Sequence, residues 1–311
     1  MDEDAKWIAL ILALLYRTDK QWREFENEIK YNHRFFPKSE LLEEFKRIQK
    51  YAVHEIKKGE KFYRARLFDF NMHYRKELKK TENAILKYYP KMKEKDALFD
   101  VSDVSGMGGF LTALTLMAEN NKPLFNELEQ IFKQNKRFWG YNQKESDAPP
   151  KEKSASGRAN PKNISYLYIA GDVKTAILEV RPILNQEVSV ATIKITKDLK
   201  LFDFCYTDVD ENEKGKNLDL NVISAAFSKP NFGGEDNYYA TQYVCEFIRE
   251  MGFDGIRFYS SLNPEGQNIV LFDTEIDPVT KVKSYRIVNS KVYSVTKLGI
   301  DYQQELPSKI N

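Results

Sequence analysis

The residues whose spacing most readily signals chemistry, histidine, cysteine and glycine, exclude more in this sequence than they offer. His33, His54 and His73 all lie in the first quarter of the chain, and the two cysteines, Cys205 and Cys245, are far apart. Zinc needs about four converging ligands, usually in closely spaced pairs, so no zinc site can be assembled from this set, nor a disulfide framework. SGMGGF (105–110) supplies Gly106 and Gly108, but a dinucleotide-binding turn needs a glycine where Leu111 stands and a strand before it. Gly215–Lys216 is followed by Asn217 and has no glycine five positions earlier, which removes a Walker phosphate loop. With no histidine beyond residue 73, chemistry in the second half falls to carboxylate, hydroxyl and guanidinium groups.

One spacing in the first half does carry a reading. Arg47 and His54 stand seven residues apart, which on a helix is two turns less about 20 degrees, so both would share one face, roughly 140 degrees from the apolar stripe. The pattern resembles the loose R-x6-H signature of HEPN ribonucleases, where an Arg and a His act on RNA phosphates. The plain alternative is a solvated Arg and His on a polar face, and both readings stay open.

The elements that must position any site follow from pattern. Residues 1–58 read as helical, most clearly Ser39–Ile56, where Leu41, Phe45, Ile48, Ala52 and Ile56 recur at three- and four-residue steps behind a Ser39 cap. KFYRARLF (61–68) suits a strand. Residues 72–138 return to helical patterns broken by the glycine cluster (Gly106, Gly108, Gly109) and Pro123, and 139–161 form a long loop. After Pro161 come a strand at 165–170, a helix at 171–182 capped by Asp172, strands at 188–195 and 199–204, helices near 218–228 and 237–251, strands at 255–260 and 268–273, and a terminal hairpin over about 276–300. The chain is thus expected to be α+β, with a helical N-terminal region (1–58), a first strand and helical insertion (59–137) and a mixed core (138–311).

Charge narrows the partners. The 311 residues hold 48 Lys+Arg and 46 Asp+Glu, which leaves none of the cationic excess that general nucleic-acid binders use to release counterions. The apolar run WIALILALLY (7–16) is half the ~20 residues a membrane span needs. It follows an acidic start and lacks a small-residue cleavage site, so it reads as a buried first helix rather than a signal. Two cysteines without a framework suit a reducing cytoplasm.

Four segments taken in order then carry a resemblance: FYRAR (62–66), GRANP with ISYLYIA (157–170), KTAILEVRP (174–182), and YYATQYVCEFIREMGFDGIRFYSS with QNIVLF (238–261, 267–272). Together they resemble the RES-domain family over about residues 60–65 and 138–273. The resemblance implies an ADP-ribosyltransferase-like mixed sheet, behind a helical N-terminal region of HEPN type. It implies a toxin of a toxin–antitoxin pair that consumes NAD+ by phosphorolysis or hydrolysis at the nicotinamide ribose. NAD+ would be substrate, inorganic phosphate a co-substrate, and no prosthetic group or metal would be required. By the same resemblance the family Arg falls on Arg64, with Arg66 the second choice, the Tyr on Tyr168, the Glu on Glu179 and the Ser on Ser260 or the adjacent Ser261. Arg158 and Asn160 of GRANP would line the pocket. Many members have Pro where Tyr259 stands, which leaves the choice of serine open.

Those residue types suit the implied chemistry. An oxocarbenium-like ribose gains from a fixed carboxylate, as Glu179 would supply. Cationic nicotinamide is already a good leaving group, so a histidine acid is not needed. A pyrophosphate favours the planar fork of Arg64, with Arg158, over lysine. Tyr168 offers a flat face and Ser260 a small donor and acceptor. ADP-ribosyl transfer to a macromolecule, or a non-catalytic or RNA-interacting module, are the rival readings. A DNA-binding antitoxin is the expected protein partner, with self-association through the N-terminal helices, and no direct binding of nucleic acid or membrane is expected.

Overall fold

The computed structural model describes residues 3–67, 70–90, 119–135, 140–206, 220–228 and 238–299. The glycine cluster at 106–109 and the Gly215–Lys216 pair lie outside them. The protein is α+β: an eight-stranded mixed sheet with helices. The strands are β1 (Val53–Ile56), β2 (Lys61–Leu67), β3 (Leu167–Ala170), β4 (Glu187–Ile195), β5 (Leu199–Asp203), β6 (Gly255–Tyr259), β7 (Gln267–Leu271) and β8 (Tyr285–Ser294), in spatial order β1-β5-β6-β7-β3-β2-β4-β8. β5 and β6 run parallel; β1/β5, β6/β7, β3/β7 and β2/β3 are antiparallel.

Residue contacts divide the chain into two compact units, one of residues 1–66, 143–182 and 190–290 and the other of 67–142, 183–189 and 291–311. In the first, both faces of the central strands are largely buried, which is why NIVLF is apolar after Asn268 and LKLFDF departs only at the exposed Lys200 and at Asp203. Phe202, Ile256, Phe258 and Val270 point to one face, alternating with Leu199, Leu201, Ile269 and Leu271 on the other. The first face is covered by α1 (Glu3–Asn27), α2 (Glu40–Ile48) and two helices labelled below, through Trp22, Phe25, Leu41 and Phe45 among others. The N-terminal helices therefore share the core of the sheet. In the second unit, α3 (Phe70–Tyr88) and α4 (Lys122–Asn135) pack through Ala84, Ile85, Leu124 and Leu128, and Lys87 bonds Glu127 at 2.8 Å. Pro123 sits in the first turn of α4, where its missing N–H costs nothing; the one-turn α5 (Gln143–Ser146) lies within the segment expected to be a loop. No helix among the described residues is long and apolar enough to cross a membrane. Residues 7–16 are helical within α1, but Leu12 and Tyr16, which the reading as a buried helix would cover, are exposed; the side chains of 1–11, 13 and 14 lie outside the description.

Two expectations are corrected. The helix over 39–56 is capped as expected, with Ser39 Oγ accepting from Leu41 N, but it ends at Ile48. Residues 53–56 are strand β1, in register Val53↔Phe202 to Ile56↔Leu199. Ala52 and Ile56 are both buried, yet in the cores of opposite sheet faces; their four-residue spacing mimics a helical stripe, and pairing with β5 decides the outcome. The expected terminal hairpin is instead one long strand, β8, beside β4, preceded by a single bridge, Ile276↔Lys283.

The first correction separates Arg47 from His54 and removes the shared helical face. Arg47 bonds Glu44 at 2.9 Å on α2. His54, on β1, stands with Nδ1 2.6 Å from Arg257 Nη1, and Arg257 in turn is paired with Asp203 at 3.2 Å. Arginine can only donate, so the imidazole accepts and is neutral. Burial first, and the Arg257 cation second, hold its pKa below the ordinary 6.5. A depressed folded value means that the unfolded chain takes up the proton more readily, so stability falls as pH drops through 6.5 and below. Urea titrations at several pH values check this: His54→Gln is expected to flatten the slope between about pH 6.5 and 5, and an unchanged slope would contradict the assignment.

Candidate active site

β2 meets β3 at a single register pair, Tyr63↔Ala170, so the sheet is joined there by one pair alone. A cavity of about 500 Å³ opens there, a size that suits a small-molecule or cofactor site. Tyr63, Arg64 and Ala65 line it from β2, and Tyr168, Ile169 and Ala170 from β3. Further walls come from Gly157–Ala159, from α6 (Val173–Glu179) and the residues after it, from Phe227 of α7 (Leu220–Ser228), from Tyr238 just before α8 (Tyr239–Glu250), and from Phe258 and Asn268.

Glu179 is the last residue of α6, a helix begun by Asp172, whose carboxylate accepts from Thr175 N at 2.8 Å. Its Oε1 accepts two short hydrogen bonds, from Ser260 Oγ at 2.7 Å and from Asn268 Nδ2 at 2.6 Å. Oε2 is engaged by no described residue. Ser260 is aimed by the turn after β6, its Oγ accepting from the amides of Leu262 and Asn263 at 3.2 Å each. That turn is tied to α6 through Asn263 Nδ2, which donates to Thr175 Oγ1 at 2.7 Å. Gly266 makes the approach feasible, since a Cβ there would stand 2.1 Å from Thr175 Oγ1.

The opposite side is built on the GRANP loop. Asn160, buried, donates through its amide to the carbonyls of Ala155, Pro161 and Ile164 at 2.9, 3.0 and 2.8 Å, and its Oδ1 accepts from Tyr168 OH at 2.6 Å. Ala159 N donates to the same phenol at 3.1 Å. Burial raises the Tyr168 pKa, so the hydroxyl stays protonated and keeps donating. Gly157 lies so close that a Cβ would stand 2.8 Å from that hydroxyl. Gln242 and Thr241 of α8 hold the loop from behind: Gln242 Nε2 donates to Gly157 O at 2.7 Å and Thr241 Oγ1 to Arg158 O at 2.6 Å. Arg158 bonds the carbonyl of Phe227.

Arg64 donates weakly to Tyr168 O at 3.4 Å, and its buried Nε has no hydrogen-bond partner. Burial, with a contribution from Arg66, pushes its pKa down to about 10. It is therefore still a cation at neutral pH, under-solvated and under-bonded, and an incoming anion would satisfy it. Arg66 is exposed and bonds Glu145 O.

Of the residues singled out from sequence, Glu179, Arg64, Tyr168 and Arg158 line the cavity. Asn160 and Ser260 stand behind it, bonded to Tyr168 and Glu179. Ser261 is exposed and outside the lining. Sequence reasoning missed Asn268, the second donor to Glu179, and the aromatic wall of Tyr63, Phe227, Tyr238 and Phe258. An asparagine among the apolar residues of a central strand was the one available signal for the former.

Comparison with known families places the chain. A model described as the RES domain matches residues 129–290, just over half of the chain. The chain belongs to the RES-domain family. The match contains Glu179, Tyr168, Arg158 and Ser260, while Arg64 lies outside it and joins the RES domain through β2. Among solved structures, a chain of the M. tuberculosis MbcT-MbcA toxin-antitoxin complex is similar at 14% identity and a TM-score of 0.30, covering 47% of this chain and 76% of that one. No curated protein sequence matches.

The Asn160 amide holds the GRANP loop in shape from within. Asn160→Ala is expected to strand buried carbonyls and cost about 1–3 kcal/mol in denaturant unfolding. A loss below a few tenths would contradict that account.

Proposed function

We propose that this RES-domain protein is a toxin of a toxin–antitoxin pair that cleaves the nicotinamide–ribose bond of NAD+. The observation that carries the reading is the Glu179 carboxylate, held at Oε1 by Ser260 and Asn268 with Oε2 unengaged, on a cavity also lined by arginines. As the bond from the ribose carbon to the pyridinium nitrogen breaks, its electron pair leaves with nicotinamide and positive charge grows on the ribose. A carboxylate already fixed in place stabilises that charge without reorganising, and Oε2 can accept a ribose hydroxyl. Ser260 and Asn268 act as positioning residues. Arg64 and Arg158 hold the pyrophosphate, and Tyr168, clamped by Asn160, gives a flat wall beside it. No histidine is needed, because the leaving group departs as a neutral base.

The ribose carbon is then taken by water or by inorganic phosphate. The partner is a cognate antitoxin of DNA-binding type that covers the cavity in the cytoplasm, where the two buried, free cysteines stay reduced.

Incubating the purified chain with NAD+, with and without phosphate, and measuring free nicotinamide tests the reading. Release is expected under at least one condition, and none under either would contradict it. Arg64→Ala is expected to raise KM for NAD+ about 10- to 100-fold with a smaller effect on kcat. The opposite split would remove Arg64 from substrate binding.

A further inference from the structure

Arg181 stands two residues past Glu179 and lines the same cavity. Its backbone is left-handed, with φ of 48°, at the position that stops α6, where its N–H donates to Leu178 O at 2.9 Å. Glycine takes that conformation without a steric cost and is the usual helix stop; an arginine there holds strain. Such strain, kept at a cavity wall, marks a side chain retained for use. Of the other two arginines on the lining, Arg158 is tethered to Phe227 O, and Arg64 is half-buried with one weak bond, to Tyr168 O. No described residue pairs with the Arg181 guanidinium, which is exposed at the rim. The lining thus carries three guanidinium groups and one carboxylate, in a chain whose total charge is only +2. Cation is concentrated here, and the Arg181 guanidinium is the one of the three that is both solvent-exposed and without a hydrogen bond to a described residue.

We infer that Arg181 holds a phosphate group at the Glu179 end of the cavity and so helps select the anion that reacts there. The inference rests on the NAD+ reading only in taking this cavity as the substrate site. Two sources share the chemistry: the pyrophosphate of the bound dinucleotide, or free inorganic phosphate. In the second case a phosphate oxygen bonds the ribose carbon as the bond to nicotinamide breaks. The electron pair leaves with nicotinamide, nothing is oxidised or reduced, and the other product is ADP-ribose carrying phosphate on that carbon.

The full-length Arg181→Gly variant tests this, titrated calorimetrically with ADP and with inorganic phosphate alongside its melting temperature. The variant should melt higher than wild type, because strain is relieved, and lose at least tenfold in affinity for one probe. Loss for ADP places the dinucleotide's pyrophosphate at Arg181, and loss for phosphate alone places the free anion there. Affinities for both probes within twofold of wild type, or no binding of either by wild type, would overturn the inference. Nicotinamide release separates the two ideas. Wild-type turnover with probe affinities unchanged in the variant sinks the role of Arg181 and leaves the NAD+ reading standing. Probe binding that depends on Arg181, without wild-type turnover, does the reverse.

Discussion

A carboxylate at the end of a short helix is a poor catalyst unless something stops it from turning, and in this protein the restraint is the pair of hydrogen bonds to Glu179 Oε1 from Ser260 and Asn268. Asn268 lies in β7 and Ser260 is the first residue after β6, and these two strands lie side by side in register from Gly255↔Leu271 to Tyr259↔Gln267. A donor on a strand and a donor at a strand end, the latter held by the turn amides of Leu262 and Asn263, fix an acceptor on a helix firmly, and hydrogen bonds to a carboxylate are among the stronger ones. Much of the surrounding structure brings these three residues together. Asp172 starts α6, Asn263 fastens the β6–β7 turn to Thr175, and Gly266 lets helix and turn approach.

The other wall depends on a different device. Tyr168 belongs to β3, but its hydroxyl is anchored in the GRANP loop by Asn160, and that loop is gripped from α8 by Gln242 and Thr241. Behind it runs a ladder of aromatic rings, Phe45 to Phe204 at 6.1 Å, Phe204 to Phe227 at 5.1 Å and Phe227 to Phe258 at 5.4 Å. It starts on the N-terminal helix α2 and ends at the cavity wall. Close-packed rings transmit displacement, so the N-terminal helices support the shape of the site as well as covering the sheet.

What the sequence made legible followed from how local each signal was. The strands of the RES half were readable because apolar runs between turn residues demand burial on both faces, and the starts of α2 and α6 because Ser39 and Asp172 sit where a cap must. The end of α2 was not, since Ile48, Ala52 and Ile56 keep a helical spacing while the chain crosses from one sheet face to the other. That fate is set by pairing with β5, about 145 residues away, which no local pattern carries. The residues now at the cavity came from ordered motifs rather than periodicity, and the motifs could not say that Ser260 rather than Ser261 faces the glutamate. Asn268 shows the limit most plainly: its meaning appears only when β7 is laid beside β6 and the end of α6.

The central claim is that the pinned carboxylate of Glu179 carries the bond cleavage itself. It is tested most directly by single-turnover nicotinamide release from saturating NAD+ in Glu179→Gln, an isosteric change that removes the charge. The account predicts a fall of at least about a hundredfold in the rate, of the order seen when one electrostatic stabiliser is lost, with NAD+ affinity within a few-fold of wild type. A variant that releases nicotinamide within tenfold of the wild-type rate would contradict it.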